Sequence, residues 1–300
     1  MAINGALKWS LLFGGGIPVL IALRLGLVFY FAVVSPGWTM HETARILVDD
    51  SKFGGRAQAR AVYDGDAILP SLTRESRNFE KLNGRNSFWI AEVLGGIKTE
   101  RSKSIATDLY RRSDRLPHLV GAVALAEAGG LDEKGVNDLI AIVIAGQNED
   151  EEELAMLALG KAHARAAGPI LVELLSKDGD GRDYWRHAYA CDAVARIGYR
   201  EAIPVIQSRL RSQKFYDLPN AFRALISLGD REAVPLAIAR ITPSIQNYNS
   251  GFVVNELERV TGRHFGYNKQ AWTEWWKSVE HGWSIPEAFR TPFDDQPHIY

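Results

Sequence analysis

Seven histidines, one cysteine and two acidic runs are the places in this 300-residue chain where chemistry would reside. The histidines are His41, His118, His163, His187, His264, His281 and His298. A zinc site needs ligands that converge, as His-Glu-x-x-His does on one helix face or a cysteine pair does in a turn. No histidine here has that spacing and Cys191 stands alone, so no metal is expected and the histidines read as solvated surface groups. His163 and His187 are the pair that neighbouring helical units could bring together. Cys191 lies in the apolar run Ala188-Tyr189-Ala190-Cys191 and reads as a small buried hydrophobe. A lone thiol cannot staple a fold.

The run Asp178-Gly179-Asp180-Gly181-Arg182-Asp183 has the look of a calcium loop. An EF-hand loop needs glycine at its sixth position and glutamate at its twelfth. Here those positions hold Asp183 and Tyr189, so a turn that caps the next helix is the better reading. The run Glu149-Asp150-Glu151-Glu152-Glu153 follows Asn148. It suits the positive end of a helix over residues 154–159, with an acidic docking patch for a basic partner as the alternative. Gly-x-Ser-x-Gly is absent, and Gly14-Gly15-Gly16 lacks the Lys-Ser/Thr of a phosphate loop. The expectation is therefore a non-enzyme without a cofactor. Recognition by another protein is the remaining chemistry. Arg182, Tyr184, Trp185, Arg186, Phe215 and Tyr216 are the candidate partner-binding residues, because aromatic and guanidinium groups dominate binding hot spots.

The elements that must position these residues are helices. Val136, Leu139, Ile140, Val143 and Ile144 recur at three-and-four spacing, as do Ile170, Leu171, Leu174 and Leu175, and Phe222, Leu225, Ile226 and Leu228. Strict alternation is not evident, so strands are not expected. The helices also repeat. Tyr199-Arg200-Glu201-Ala202-Ile203-Pro204 returns as Asp230-Arg231-Glu232-Ala233-Val234-Pro235, with looser copies at Gly65-Asp66-Ala67-Ile68-Leu69-Pro70 and Ala166-Ala167-Gly168-Pro169-Ile170-Leu171. Before each phrase a run of Ala, Leu and Val ends in glycine. Gly95, Gly129, Gly160, Gly198, Gly229 and Gly262 are separated by 34, 31, 38, 31 and 33 residues. A period of about 30–40 residues with two helices per unit marks an α-solenoid. Each glycine is expected in the left-handed position that ends a helix. Each proline is expected in the first turn of the next, where its missing N–H costs little.

This unit resembles the HEAT repeat, in the short form also found in the HEAT-like proteins related to phycobilisome lyases. The resemblance covers residues 65–262, with a degenerate unit from His41, and the units at 102–129 and 132–160 lack the proline. It implies an all-α solenoid of about six to seven HEAT-like hairpins, each stable only against its neighbours. The segment from Leu257 through Thr261-Gly262 and Phe265-Gly266 into Trp272, Trp275 and Trp276 is similar to the ending of bacterial exported or membrane-tethered HEAT proteins. Those three tryptophans are expected to form a structural cap over the last open face, rather than an aromatic binding patch. The family also contains proteins resembling bilin lyases, so a ligand-handling enzyme is the alternative function, although no residue here carries that activity over.

The amino terminus adds a membrane segment. Residues 9–34 hold one charge, Arg24. The 18 residues 17–34 would span about 27 Å as a helix. Trp9, Tyr30 and Trp38 stand toward the ends of the segment, where amphipathic rings prefer the headgroup level. The apolar core is longer than that of a cleaved signal peptide, and Pro36 follows the nearest cleavage candidate. An uncleaved single-pass anchor is therefore expected. Arg24 is costly at mid-bilayer, so it is expected to snorkel or to meet a polar group of another membrane subunit. Flanking positive charges nearly balance, with Lys8 before the segment and Arg45 and Lys52 after it. The adopted orientation places the bulk outside the cytoplasm.

With net charge −1 and pI 6.7, the chain offers no basic excess for nucleic acid. The expected partners are other protein subunits, themselves in or at the membrane, and the lipid around the anchor. The organisation read from sequence is an anchor at 1–38, a HEAT-like solenoid at 39–262, a Trp-rich capping helix at 263–283 and an extended proline-containing tail at 284–300.

Overall fold

A computed structural model describes residues 39–49, 54–177, 184–211, 218–242 and 248–291. Every regular element among these residues is helical, as the three-and-four periodicity predicts. The membrane segment 17–34, with Trp9, Arg24, Tyr30 and Trp38, lies outside the described residues. Among those that are described, no helix is long and apolar enough to cross a membrane.

The chain divides into two compact units, residues 1–108 and 109–300. In the first, α1 (Met40–Val48), α2 (Gly54–Asp64), α3 (Leu69–Glu75) and α4 (Gly84–Ile97) surround a core that includes Leu47, Ala61, Ile68, Leu72 and Ile90. Thr39 opens α1 with a reciprocal capping box to Glu42, satisfying two otherwise orphaned amides. Asn83 and Asn86 do the same for α4. The buried Asn86 amide also donates to the Val48 carbonyl at 2.8 Å, tying the start of α4 to the end of α1. Between α3 and α4, Arg77, Asn78 and Phe79 all have positive φ. This strained turn is held by Ser76 Oγ, which accepts from the Phe79 amide at 3.1 Å, and by burial of the Phe79 ring. The helix α5 (Glu100–Tyr110) crosses the division between the units.

The second unit holds α6 (Arg115–Glu127), α7 (Glu133–Ala145), α8 (Glu149–Lys161), α9 (Gly168–Ser176), α10 (Tyr184–Ile197), α11 (Ile203–Arg211), α12 (Leu218–Ser227), α13 (Ala233–Arg240), α14 (Tyr248–Thr261) and α15 (Lys269–Val279). The even-numbered helices pack each on the next: α6 on α8, α8 on α10, α10 on α12, α12 on α14. Among the odd-numbered, α9 packs on α11, α11 on α13 and α13 on α15. α8 packs between α6 and α10 and is buried through its central turns, residues 154–160, and α6 is buried over residues 119–126.

Eight of the polar ties that cross between elements share a sequence offset of 33 to 36 residues, beside others at 22, 23, 30, 32 and 38. In the first unit Gln58 reaches Glu92, 34 residues on, and Thr99 bonds Asp66, 33 residues back. In the second the pairs are Glu127–Lys161 (34), Glu152–Arg186 (34), Arg165–Glu201 (36) and Arg223–Glu256 (33). The His163 ring donates to the Arg196 carbonyl (33), and Arg209 donates to that of Leu175 (34).

The glycine series divides in two. Gly129, Gly198, Gly229 and Gly262 have φ between 66° and 77°, the left-handed position expected at a helix end. Gly95 and Gly160 lie inside α4 and α8, and the reversals fall three residues later at Lys98 and His163, both with positive φ. Gly160 serves close packing instead. A Cβ there would stand 2.9 Å from Arg196 Cδ and 3.3 Å from Ala193 Cα. The prolines fall as expected, Pro169 in the first turn of α9 and Pro204 second in α11, each after a short 3-10 turn.

The carboxy-terminal end folds back on the second unit. Ile285 is buried, and the turn Glu287–Phe289 buries Phe289 under the Arg259 guanidinium, 4.9 Å away. The segment expected to be extended from 284 is thus docked as far as 291; the remainder lies outside the described residues.

Candidate functional site

The acidic run forms the first turn and a half of α8. Asn148 caps it, its Oδ1 accepting from the Glu151 amide at 3.2 Å, and Glu149, Asp150, Glu151 and Glu152 meet the positive end of the helix dipole. The helix begins five residues earlier than the apolar pattern suggests, because the acids belong to it. Helical geometry then gives these acids different surroundings. Glu152 turns inward and is only 2% exposed, while Glu149 and Asp150 are exposed and Glu153 half-buried.

Arg186 of α10 meets Glu152 with Nε to Oε2 at 2.6 Å. A Cβ on Gly146, which ends α7 with φ 57°, would lie 3.0 Å from Arg186 Nη2. The missing side chain lets the guanidinium lie against that turn. A buried carboxylate held by a charge-assisted bond is a structural joint between α8 and α10. Arg186, expected at the binding surface, is partly exposed there and also pairs with the buried Glu152.

One turn along α10, the Tyr189 hydroxyl donates to the Glu153 carboxylate. Burial pushes the phenol well above its usual range, and Glu153, Glu149 and Asp150 push the same way because a phenolate would face their charges. Trp185 stacks on Tyr189 with ring centroids 6.4 Å apart and planes at 24°. Its indole remains 50% exposed. A stacked indole–phenol pair thus stands on the surface, rimmed by the acids of the neighbouring helix. Sequence reading singled out Trp185 and the acidic run separately. It missed Tyr189, whose signal was its four-residue spacing from Trp185.

Of the other expected partner-binding residues, Arg182, Phe215 and Tyr216 lie outside the described residues, as does the Tyr184 side chain, and so does the loop 178–183. Among the described residues no group of three His, Cys, Asp or Glu could hold a metal ion. His163 bonds the Arg196 carbonyl at 2.7 Å. His187 is buried, contrary to the surface expectation, with Nδ1 3.4 Å from Arg209 Nη1. Cys191 is fully buried.

A cleft of about 750 Å³ opens on the other flank of the α8 start, lined by Arg112, Arg115, His118, Asp138, Asn148 and Glu151 among others. Its charges largely cancel. Arg115 pairs with Glu151 at 3.2 Å, and His118 stacks on Tyr110 while bonding its carbonyl at 2.6 Å. The Tyr110 phenol is held above its usual range by burial, then by Asp132 and Asp138.

The tryptophans of α15 face inward. Trp272 is fully buried, its Nε1 donating to the Gly266 carbonyl at 2.9 Å, with Phe265 edge-on at 5.0 Å. Trp276 is buried under the Arg231 guanidinium, 5.6 Å from the ring centroid. Trp275 is half-buried between them and Trp283.

Comparison with protein-family models, with curated proteins and with solved structures finds no match for the chain.

Proposed function

We propose that the chain is a membrane-anchored α-solenoid of HEAT-like hairpins whose role is to hold a protein partner at the membrane. The observation that carries this reading is the recurrence of cross-helix ties 33 to 36 residues apart, eight pairs, beside others at 22, 23, 30, 32 and 38. A recurring offset near one repeat length is what translation of one hairpin onto the next produces, and stacks of this kind offer extended surfaces to partners. The glycines and prolines at the repeat boundaries favour the same reading, as do the inward-facing tryptophans of α15, which suit a terminal cap.

The anchor is part of the proposal and rests on residues 17–34, with the bulk outside the cytoplasm. Fractionation tests it. The full chain is expected to stay with membranes through alkaline carbonate extraction, and a chain lacking residues 1–38 is expected to be released. Release of the full chain would remove the anchor from the reading. Partner holding is tested by detergent solubilisation and affinity capture of the intact chain. A defined co-eluting subunit is expected, and its capture should weaken when Trp185 and Tyr216 are replaced by alanine with the helical content unchanged. A chain that elutes alone under gentle detergent, or one carrying a visible chromophore, would count against the scaffold and favour ligand handling.

A further inference from the structure

The cleft beside the start of α8 goes beyond partner holding, because its shape and charges suit a small ligand. We propose that it binds a short zwitterionic peptide, about three residues long, with the peptide ammonium at Asp138 and its carboxylate at Arg115.

The volume of about 750 Å³ falls in the range of small-molecule sites. Two guanidiniums, Arg112 and Arg115, and two carboxylates, Asp138 and Glu151, line the cleft. Their charges sum to zero, so an ion of one sign gains nothing from the cleft as a whole and meets a like charge within it. The charges are nevertheless spread along the cleft. Arg115 meets Glu151 at the first turn of α8, past the end of α7. Asp138 lies seven positions before Ala145, where α7 ends, or about 10 Å back along the helix axis. The Asp138 side chain is exposed, and among the described residues no hydrogen bond or ion pair engages it. The Arg115 side chain is 53% exposed despite its contact with Glu151, so its guanidinium can still take a ligand carboxylate. Three extended residues at about 3.3 Å each separate an ammonium from a carboxylate by a matching length.

The walls are set before any ligand arrives. His118 of α6 lines the cleft, stacked on Tyr110 at 4.6 Å with Nδ1 2.6 Å from the Tyr110 carbonyl. A carbonyl only accepts, so Nδ1 carries the proton and the neutral ring keeps a lone pair on Nε2 for a ligand N–H. Tyr110 is itself seated against Gly135 of α7, where a side chain would strike its hydroxyl. From α7 come Ala141, Ile142 and Ala145, small or apolar groups that leave room for ligand side chains and ask for no polar partner.

The probe is trialanine, titrated into the full chain in detergent and read by calorimetry, with N-acetyl-trialanine, trialanine amide and spermidine as comparison ligands. Trialanine is expected to bind. Acetylation and amidation should each weaken it about tenfold, as loss of one charge-assisted contact gives. Asp138→Asn should weaken trialanine about tenfold and the N-acetyl form no further. Arg115→Gln should do the same for trialanine and not for the amide. Ala141→Trp, which fills the cleft, should abolish binding of all three peptides, and Glu274→Gln on α15 should change nothing. All four positions are exposed, and the unfolding midpoint of each variant verifies the fold. No binding of trialanine by the parent chain, equal binding of the three peptide forms, tighter binding of spermidine, or parent-like binding by Asp138→Asn and Arg115→Gln would overturn the proposal. The titration needs no protein partner, so its failure leaves the scaffold reading standing.

Discussion

The ring of Tyr199 occupies the space that any side chain on Gly168 would need. A Cβ built at Gly168 falls 2.3–2.5 Å from three of the ring carbons. In the next copy of the repeat phrase, Ile203 stands where Gly168 does and Asp230 where Tyr199 does. Arg165 closes the arrangement from outside, its guanidinium 5.2 Å from the Tyr199 ring centroid and 2.5 Å from Glu201.

Gly168→Ala is therefore expected to overpack this joint and to destabilise the chain by about 1–3 kcal/mol. In a Tyr199→Ala background the same change should cost far less, because the ring it strikes is gone. Denaturant unfolding of the four proteins in this double-mutant cycle measures the coupling, and additive effects would show that the two residues do not meet.

Arg186→Ala leaves the Glu152 carboxylate, 2% exposed, without its guanidinium. The expected loss is about 3 kcal/mol, the lower end for breaking a buried pair, since Arg186 is itself partly exposed. Replacing both residues, Glu152→Leu with Arg186→Met, should recover most of the loss. A change under 1 kcal/mol for Arg186→Ala on thermal or chemical unfolding would refute the structural role.

The two kinds of repeat glycine should respond oppositely to the same substitutions. Gly198 has φ 70° and open space around it, so asparagine, which tolerates the left-handed region, should cost less than alanine. Gly160 lies within α8 against Arg196 and Ala193, so the smaller alanine should cost less than asparagine. Unfolding midpoints of the four single variants decide the matter.

Alkaline stability should depend on Tyr189. Its folded pKa is raised above that of the unfolded chain, first by burial and then by Glu153, Glu149 and Asp150. The contribution is complete below about pH 10, where phenols in both states are protonated. It is lost as the pH rises beyond that, since the unfolded chain releases a proton that the native state retains. Tyr189→Phe should flatten the fall of the unfolding midpoint above pH 10. Tyr110 is raised by the same causes in the same sense, so Tyr110→Phe should flatten it further. Parallel midpoint-against-pH curves for the parent and Tyr189→Phe would contradict the assignment.

Strain in the turn after α3 gives a prediction of opposite sign. Arg77 is exposed and has φ 49°, a conformation that costs a side-chain-bearing residue about 1–2 kcal/mol. Arg77→Gly is expected to raise stability slightly, by less than about 1 kcal/mol once the extra freedom of glycine in the unfolded chain is counted. A lower unfolding midpoint would mean that the turn is set by contacts of the Arg77 side chain.

What the sequence determined by itself is what adjacent residues decide among themselves. Helical spacing in the stripe Val136 to Ile144, left-handed glycines at 129, 198, 229 and 262, and prolines one or two residues into α9 and α11 all follow from backbone sterics and hydrogen bonding within a single turn. Tertiary structure decided what depends on residues some 34 positions away. Gly95 and Gly160 carry the same local phrase as the capping glycines, yet they lie within helices, and at Gly160 it is the close approach of α10 that gives the missing side chain its use. Glu152 and Glu153 are neighbours of one type. One is buried against Arg186 and the other stands beside Tyr189, because the rotation of α8 against α10 sets which carboxylate faces the core. That rotation is fixed by the packing of whole helix faces, and no short stretch of sequence contains it.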